Sequence, residues 1–113
     1  MMMNERKQII NKIRKRIKET WPNSISFKIH GEMFQEIMPD LVCCVEGLFI
    51  GIEGKMVGKQ ADPRQAEVLA RIREAGGEGW TTDSVEQTMV FIQRALSRHR
   101  KSITEPSCSF EKP

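Results

Sequence analysis

The stretch Met38–Met56, MPDLVCCVEGLFIGIEGKM, constrains this chain more than any other. Two apolar runs, Leu41–Val45 and Leu48–Ile52, flank Glu46-Gly47, which reads as a two-residue hairpin turn related to the Asp-Gly signal. Such a turn sets the register. Val45 faces Leu48, and counting outward brings Asp40 directly opposite Glu53. Side chains alternate along a strand, so Lys55 points to the same face as Glu53. Leu41, Cys43, Val45, Leu48, Ile50 and Ile52 then form a core face, while Asp40, Glu53 and Lys55 converge on the open end of the other. Like charges directly opposite on a sheet are destabilising, and a cation between them resolves the conflict. The spacing predicts a metal site beside a proton-handling lysine. Mg2+ suits it, because that ion takes one or two carboxylates and keeps several waters.

The flanking segments predict elements around this hairpin. From Asn4 to about Thr20, Ile9, Ile10, Ile13 and Ile17 recur at helical spacing, with Asn4 as N-cap. Trp21-Pro22 ends the helix, since the residue before proline avoids helical geometry. Ser24–His30 alternates, with Ile25, Phe27 and Ile29 on one side and Ser26, Lys28 and His30 on the other. This is the pattern of a half-buried strand. Residues 32–38 read as an irregular loop and 57–61 as a polar connection. Asp62-Pro63-Arg64-Gln65 is a helix start with a capping-box spacing. That helix buries Val68, Leu69 and Ile72 and stops at Gly76-Gly77. Glu78–Thr82 is a short strand. Ser84 caps a last helix with Val85, Met89, Ile92 and Leu96 on one face. Periodicity is lost from Ser97, so the expectation is one domain over 1–97 and a flexible tail over 98–113.

Helix, three strands, helix, strand, helix is an α/β order. Its last helix-linked strand permits a right-handed parallel crossover, which gives a mixed central sheet flanked by helices. At 113 residues the chain has room for one core. There is no apolar run of membrane-spanning length and no secretion-type h-region at Met1–Arg6, so a cytoplasmic location is expected. Three cysteines without a CxxC or HxxxH framework read as reduced structural thiols. The net charge of +3 is concentrated in the first helix, and in Arg94, Arg98, His99, Arg100 and Lys101. Such clusters either contact phosphates or are solvated helix faces.

With the elements placed, the residues resemble the PD-(D/E)xK nuclease superfamily, whose shared core is restriction-endonuclease-like, αβββαβ. Pro39-Asp40 matches the PD half and Glu53-Gly54-Lys55 the ExK half. Within it the chain is similar to a stand-alone VRR-NUC (virus-type replication-repair nuclease) domain. The supporting residues are Lys28-Ile29-His30-Gly31, Gly51-Ile52-Glu53, Gln65, Ala75-Gly76-Gly77 and Ser84-Val85-Glu86, and the likeness covers roughly Glu5 to Leu96. It departs from the family at Met38, often glycine there, and at Gly54, usually aliphatic there.

The resemblance implies a Mg2+- or Mn2+-dependent DNA endonuclease that leaves 5′-phosphates. It implies a homodimer, a phage or prophage origin (hence host cytoplasm), and for some members branched DNA such as four-way junctions. No organic cofactor is expected. Asp40 and Glu53 would hold the metal, joined by the Gly54 carbonyl and by Glu5. Lys55 would orient or deprotonate the attacking water. Gln65 would support Lys55 or the water, or serve only in the capping box. Glu5 otherwise reads as a first-turn acid favoured by the helix dipole, the reading its position supports more. Lys28 and His30, on the polar side of the first strand, and Lys12 and Arg16, on the first helix, are candidate phosphate contacts. Two other readings stand beside the enzyme: a non-catalytic nucleic-acid-binding module, and an accessory subunit of a replication or repair complex.

Overall fold

A computed structural model describes residues 5–29, 37–55 and 62–104, the side chains of Glu5 and Thr104 excepted. The elements run α1 (Glu5–Thr20), β1 (Ile25–Lys28), β2 (Leu41–Val45), β3 (Leu48–Gly54), α2 (Pro63–Glu74), β4 (Glu78–Thr82) and α3 (Val85–Thr104). This is the expected order. The sheet has the strand order β1-β2-β3-β4. The first two pairings are antiparallel and the third, across the α2 crossover, is parallel. Among the described residues no helix is long and apolar enough to cross a membrane.

The hairpin has the register its turn dictates, from Val45 opposite Leu48 to Leu41 opposite Ile52. Glu46 and Gly47 both have positive φ, 52° and 85°, as a turn of type I′ requires to match strand twist. A glutamate is strained there, and Arg100 holds it, donating to both Glu46 carboxylate oxygens at 2.7 and 2.6 Å. A Cβ at Gly47 would find only ordinary contact, His99 Nε2 at 3.8 Å. Gly47→Ala should therefore cost about 1 kcal/mol, conformational in origin, with no change in denaturant m-value in urea unfolding.

The face predicted as core is core. Leu41, Cys43, Val45, Leu48, Ile50 and Ile52 are buried against Ile10, Ile13 and Ile17 of α1 and Met89, Ile92 and Leu96 of α3. Each of the fully buried isoleucines contributes about 2 kcal/mol over an exposed one. Burial pushes the Cys43 thiol up to about 12, which makes it an inert core residue. The opposite face is covered over β3 and β4 by α2. Its Leu69 and Ile72 pack so closely that a Cβ at Gly51 would meet Ile72 Cδ1 at 2.7 Å. Asp62 caps α2, accepting from the Arg64 N–H at 2.8 Å with Pro63 at the first helical position. Ser84 caps α3 through the Gln87 N–H at 3.1 Å.

Two expectations need correction. β1 alternates, but with its faces reversed. Ser26 and Lys28 pair with core residues Cys43 and Leu41, and so share the face of α1 and α3. Ile25 and Phe27 lie on the α2 face and are each 55% exposed. The reason is reach: β1 is an edge strand, α2 stops short of it, and Arg14 of α1 extends over its polar side toward Ser26 Oγ, 3.3 Å away. The second correction is the last helix, which continues to Thr104. Residues 98–104 are not tail. Past Leu96 the helix loses its apolar stripe but gains ion pairs, Arg98 with Glu78 and Arg100 with Glu46. The predicted Asn4 cap, residues 57–61 and residues 105–113 lie outside the described residues, as does most of the loop at 32–38.

Candidate functional site

Asp40 and Glu53 form the next rung beyond the last paired residues of the hairpin, Leu41 and Ile52. The Asp40 N–H donates to Glu53 Oε1 at 3.1 Å, and the Gly54 N–H donates to Asp40 Oδ2 at 2.9 Å. Each acid is thus fixed by backbone belonging to the other strand. Two carboxylates this close need a positive charge, and α1 supplies one. Arg6 donates to Asp40 through Nε at 2.8 Å and Nη2 at 2.6 Å, and to Glu53 Oε2 through Nη2 at 2.8 Å. The Glu53 side chain is only 2% exposed and that of Asp40 19%. Burial, with the Asp40 charge adding to it, pushes Glu53 up to about 7, against the pull of Arg6 and the Asp40 N–H. The hydrogen bond to Asp40 holds Arg6 above its ordinary value.

Arg6 is the residue that sequence reasoning left in the undifferentiated basic cluster. A signal was present. Positions 6, 10, 13 and 17 form one helical stripe, so Arg6 prolongs the buried line of Ile10, Ile13 and Ile17 toward the sheet end.

Gly54 lies on the face packed by α1. A Cβ there would meet Arg6 Cγ at 3.1 Å, Ile10 Cγ1 at 3.2 Å and the Arg6 carbonyl at 3.4 Å. The glycine that departs from the aliphatic pattern therefore lets the first turn of α1 lie close without displacing the Arg6 stem or Ile10. Extended backbone turns a residue's N–H and C=O to the same edge, so the Gly54 carbonyl shares the Asp40 side of β3.

The other candidates are distributed unevenly. Lys55 follows β3 and is fixed by its N–H, which donates to the Thr82 carbonyl at 2.9 Å. It is half-buried, and among the described residues its ammonium pairs with neither carboxylate. Gln65 sits in the first turn of α2, half-buried, with its side chain in no hydrogen bond among the described residues. Its N–H bonds the Asp62 carbonyl, and the reciprocal side-chain bond of a capping box is not formed. The Asp62 charge adds a small upward push to Glu53. Lys28 ends β1 opposite Leu41, and the next N–H, of Ile29, donates to the Asp40 carbonyl at 2.9 Å. Lys12 is exposed on α1. Arg16 is committed to Glu86 of α3 at 2.5 Å and so ties the two helices together. Glu5 precedes Arg6 in α1, but its side chain, like His30, lies outside the described residues.

No group of three His, Cys, Asp or Glu side chains among the described residues is arranged to hold a metal ion. Two carboxylates already converging on one positive charge do fit a divalent ion whose remaining positions are water and carbonyl oxygen.

No family model matches the sequence, and no curated protein does. Among solved structures, one described as a VRR_NUC domain superposes with a TM-score of 0.64 at 20% identity, covering 80% of this chain and 97% of its own. The chain has the VRR-NUC domain fold. Its mixed four-stranded sheet between helices is the restriction-endonuclease-like architecture expected from the sequence. Within this VRR-NUC fold, the Asp40–Glu53 rung stands at the open end of the β2–β3 hairpin, beside the first turn of α1 and the start of α2.

Proposed function

We propose that this VRR-NUC fold is a metal-dependent DNA endonuclease. The observation that carries the reading is the Asp40–Glu53 rung, two carboxylates locked onto one cation position at the mouth of the fold, with Lys55 two residues on. Asp40 and Glu53 would hold Mg2+ or Mn2+, with the Gly54 carbonyl and Glu5 as further oxygen donors. When bound, such an ion polarises a phosphoryl oxygen and lowers the pKa of a bound water. Lys55 orients the attacking water and neutralises charge developing on the phosphate. Gln65 supports that water from the start of α2. Lys28 near the acids, Lys12 and Arg16 along α1, and His30, which the sequence puts two residues after Lys28, track the phosphate backbone without reading bases, although Arg16 must first leave Glu86. We further propose a homodimer acting on branched DNA. The exposed apolar strip of Ile25, Phe27 and Phe49 supports self-association.

The test is cleavage of supercoiled plasmid and of a labelled four-way junction with Mg2+, Mn2+ or EDTA. Lys55→Ala is expected to cut at least about 100-fold more slowly than wild type. One observation favours a second reading, a non-catalytic DNA-binding module: Arg6 already pairs with both acids. Intact DNA in every metal, from folded protein that binds it in a salt-dependent manner, would decide for that module.

A further inference from the structure

We infer that Arg6 is a built-in occupant of the divalent-cation position, so that metal enters this site only by exchange with the guanidinium. The inference deepens the metal-dependent reading and rests on it. Arg6 Nη2 lies 2.6 Å from Asp40 Oδ1 and 2.8 Å from Glu53 Oε2. Asp40 and Glu53 are the residues that would hold a divalent cation, and charge-assisted bonds of this length leave no room for a second positive ion between the same acceptors.

The surrounding fold is shaped for this side chain. The missing Cβ of Gly54 leaves the space that Arg6 Cγ and the Arg6 carbonyl approach. A side chain at that position would press on the Arg6 stem at 3.1 Å and on Ile10 at 3.2 Å, so the first turn of α1 would have to give by a few tenths of an ångström. The position is also one that a helix disfavours for a cation, since the macrodipole is positive in the first turn. The carboxylates offset that repulsion. With those carboxylates engaged by a divalent ion, the dipole would favour an outward position of the guanidinium. The Arg6 side chain is already 38% exposed, and a displaced planar fork is suited to a phosphate oxygen pair. Arg6 would thereby change from an internal counter-ion into a positioning group for the DNA backbone.

Mn2+ binding to the full chain, followed by calorimetry and by the electron-spin signal of free Mn2+, tests the exchange. Arg6→Met keeps the aliphatic stem over Gly54 and removes the guanidinium; Arg6→Gln serves if that variant fails to fold. The variant is expected to bind one Mn2+ at least about tenfold more tightly than wild type, and the gain should vanish when Asp40→Asn is added. Equal affinities, or a gain that survives Asp40→Asn, would overturn the exchange and leave the nuclease reading standing. Absence of Mn2+ binding to any of the proteins would overturn both. Binding alone separates these outcomes, without a cleavage assay.

Discussion

Near pH 8 and without metal, Glu53→Gln is expected to raise the melting temperature by roughly 10 °C and, with metal, to abolish the cleavage proposed above. Both effects come from one buried carboxylate. Its ordinary value of 4.5 in the unfolded chain rises to about 7 in the fold, so the folded state holds the proton more tightly. The stability associated with the protonated acid is fully present below about pH 4.5 and is lost as the pH rises through about 7. That difference corresponds to about 3 kcal/mol. Glutamine removes the charge but cannot both accept from the Asp40 N–H and accept from Arg6, which returns about 1 kcal/mol. Thermal unfolding from pH 5 to pH 8 in EDTA should show wild type losing stability and the variant nearly flat. A variant that melts below wild type at pH 8 would mean that the Arg6 pairing outweighs the burial of Glu53. Wild-type cleavage rates persisting in the variant would remove Glu53 from the chemistry.

The second large effect lies away from the site. Gly77→Ala is expected to destabilise the fold by about 3 kcal/mol, because a Cβ there would sit 2.6 Å from the Phe49 carbonyl and 3.0 Å from Ile72 Cγ2. Backbone of β3 cannot yield as a flexible side-chain tip can. The neighbouring glycine provides the contrast. Gly76 has φ +102° with nothing within 4 Å, and it closes α2 by donating to the Arg73 carbonyl while Gly77 donates to that of Ile72. That is a Schellman ending. Gly76→Ala should cost only about 1 to 2 kcal/mol. Urea unfolding of the pair would check the order, and equal losses would show that β3 can shift away from the end of α2.

The Asp40–Glu53 apposition was legible because a two-residue turn and a period of two leave one register for a hairpin with a buried face. The β1 faces were not. Alternation tells which residues share a side, but which side is covered depends on where α2 lies, and α2 packs over Gly51 and Gly79 on the far half of the sheet. The length of α3 was hidden for a related reason. Its last turns carry no apolar stripe and are held by Arg98 and Arg100 reaching acids on β4 and in the hairpin turn.

The site divides along the same line. From the residues alone came the two acids, the lysine that follows them, the glycine between, and the order of helices and strands that the VRR-NUC fold shares. These are local matters of spacing, turn chemistry and caps, with sequence separations of a few residues. What only the tertiary structure decided was the partner of the acids. Arg6 is 34 residues from Asp40 and 47 from Glu53. No period links them, and the contact exists because α1 packs its isoleucine stripe on the hairpin's core face with a glycine at the point of closest approach. A charge that far away in sequence can reach a buried carboxylate only when helix and sheet packing have already brought it there.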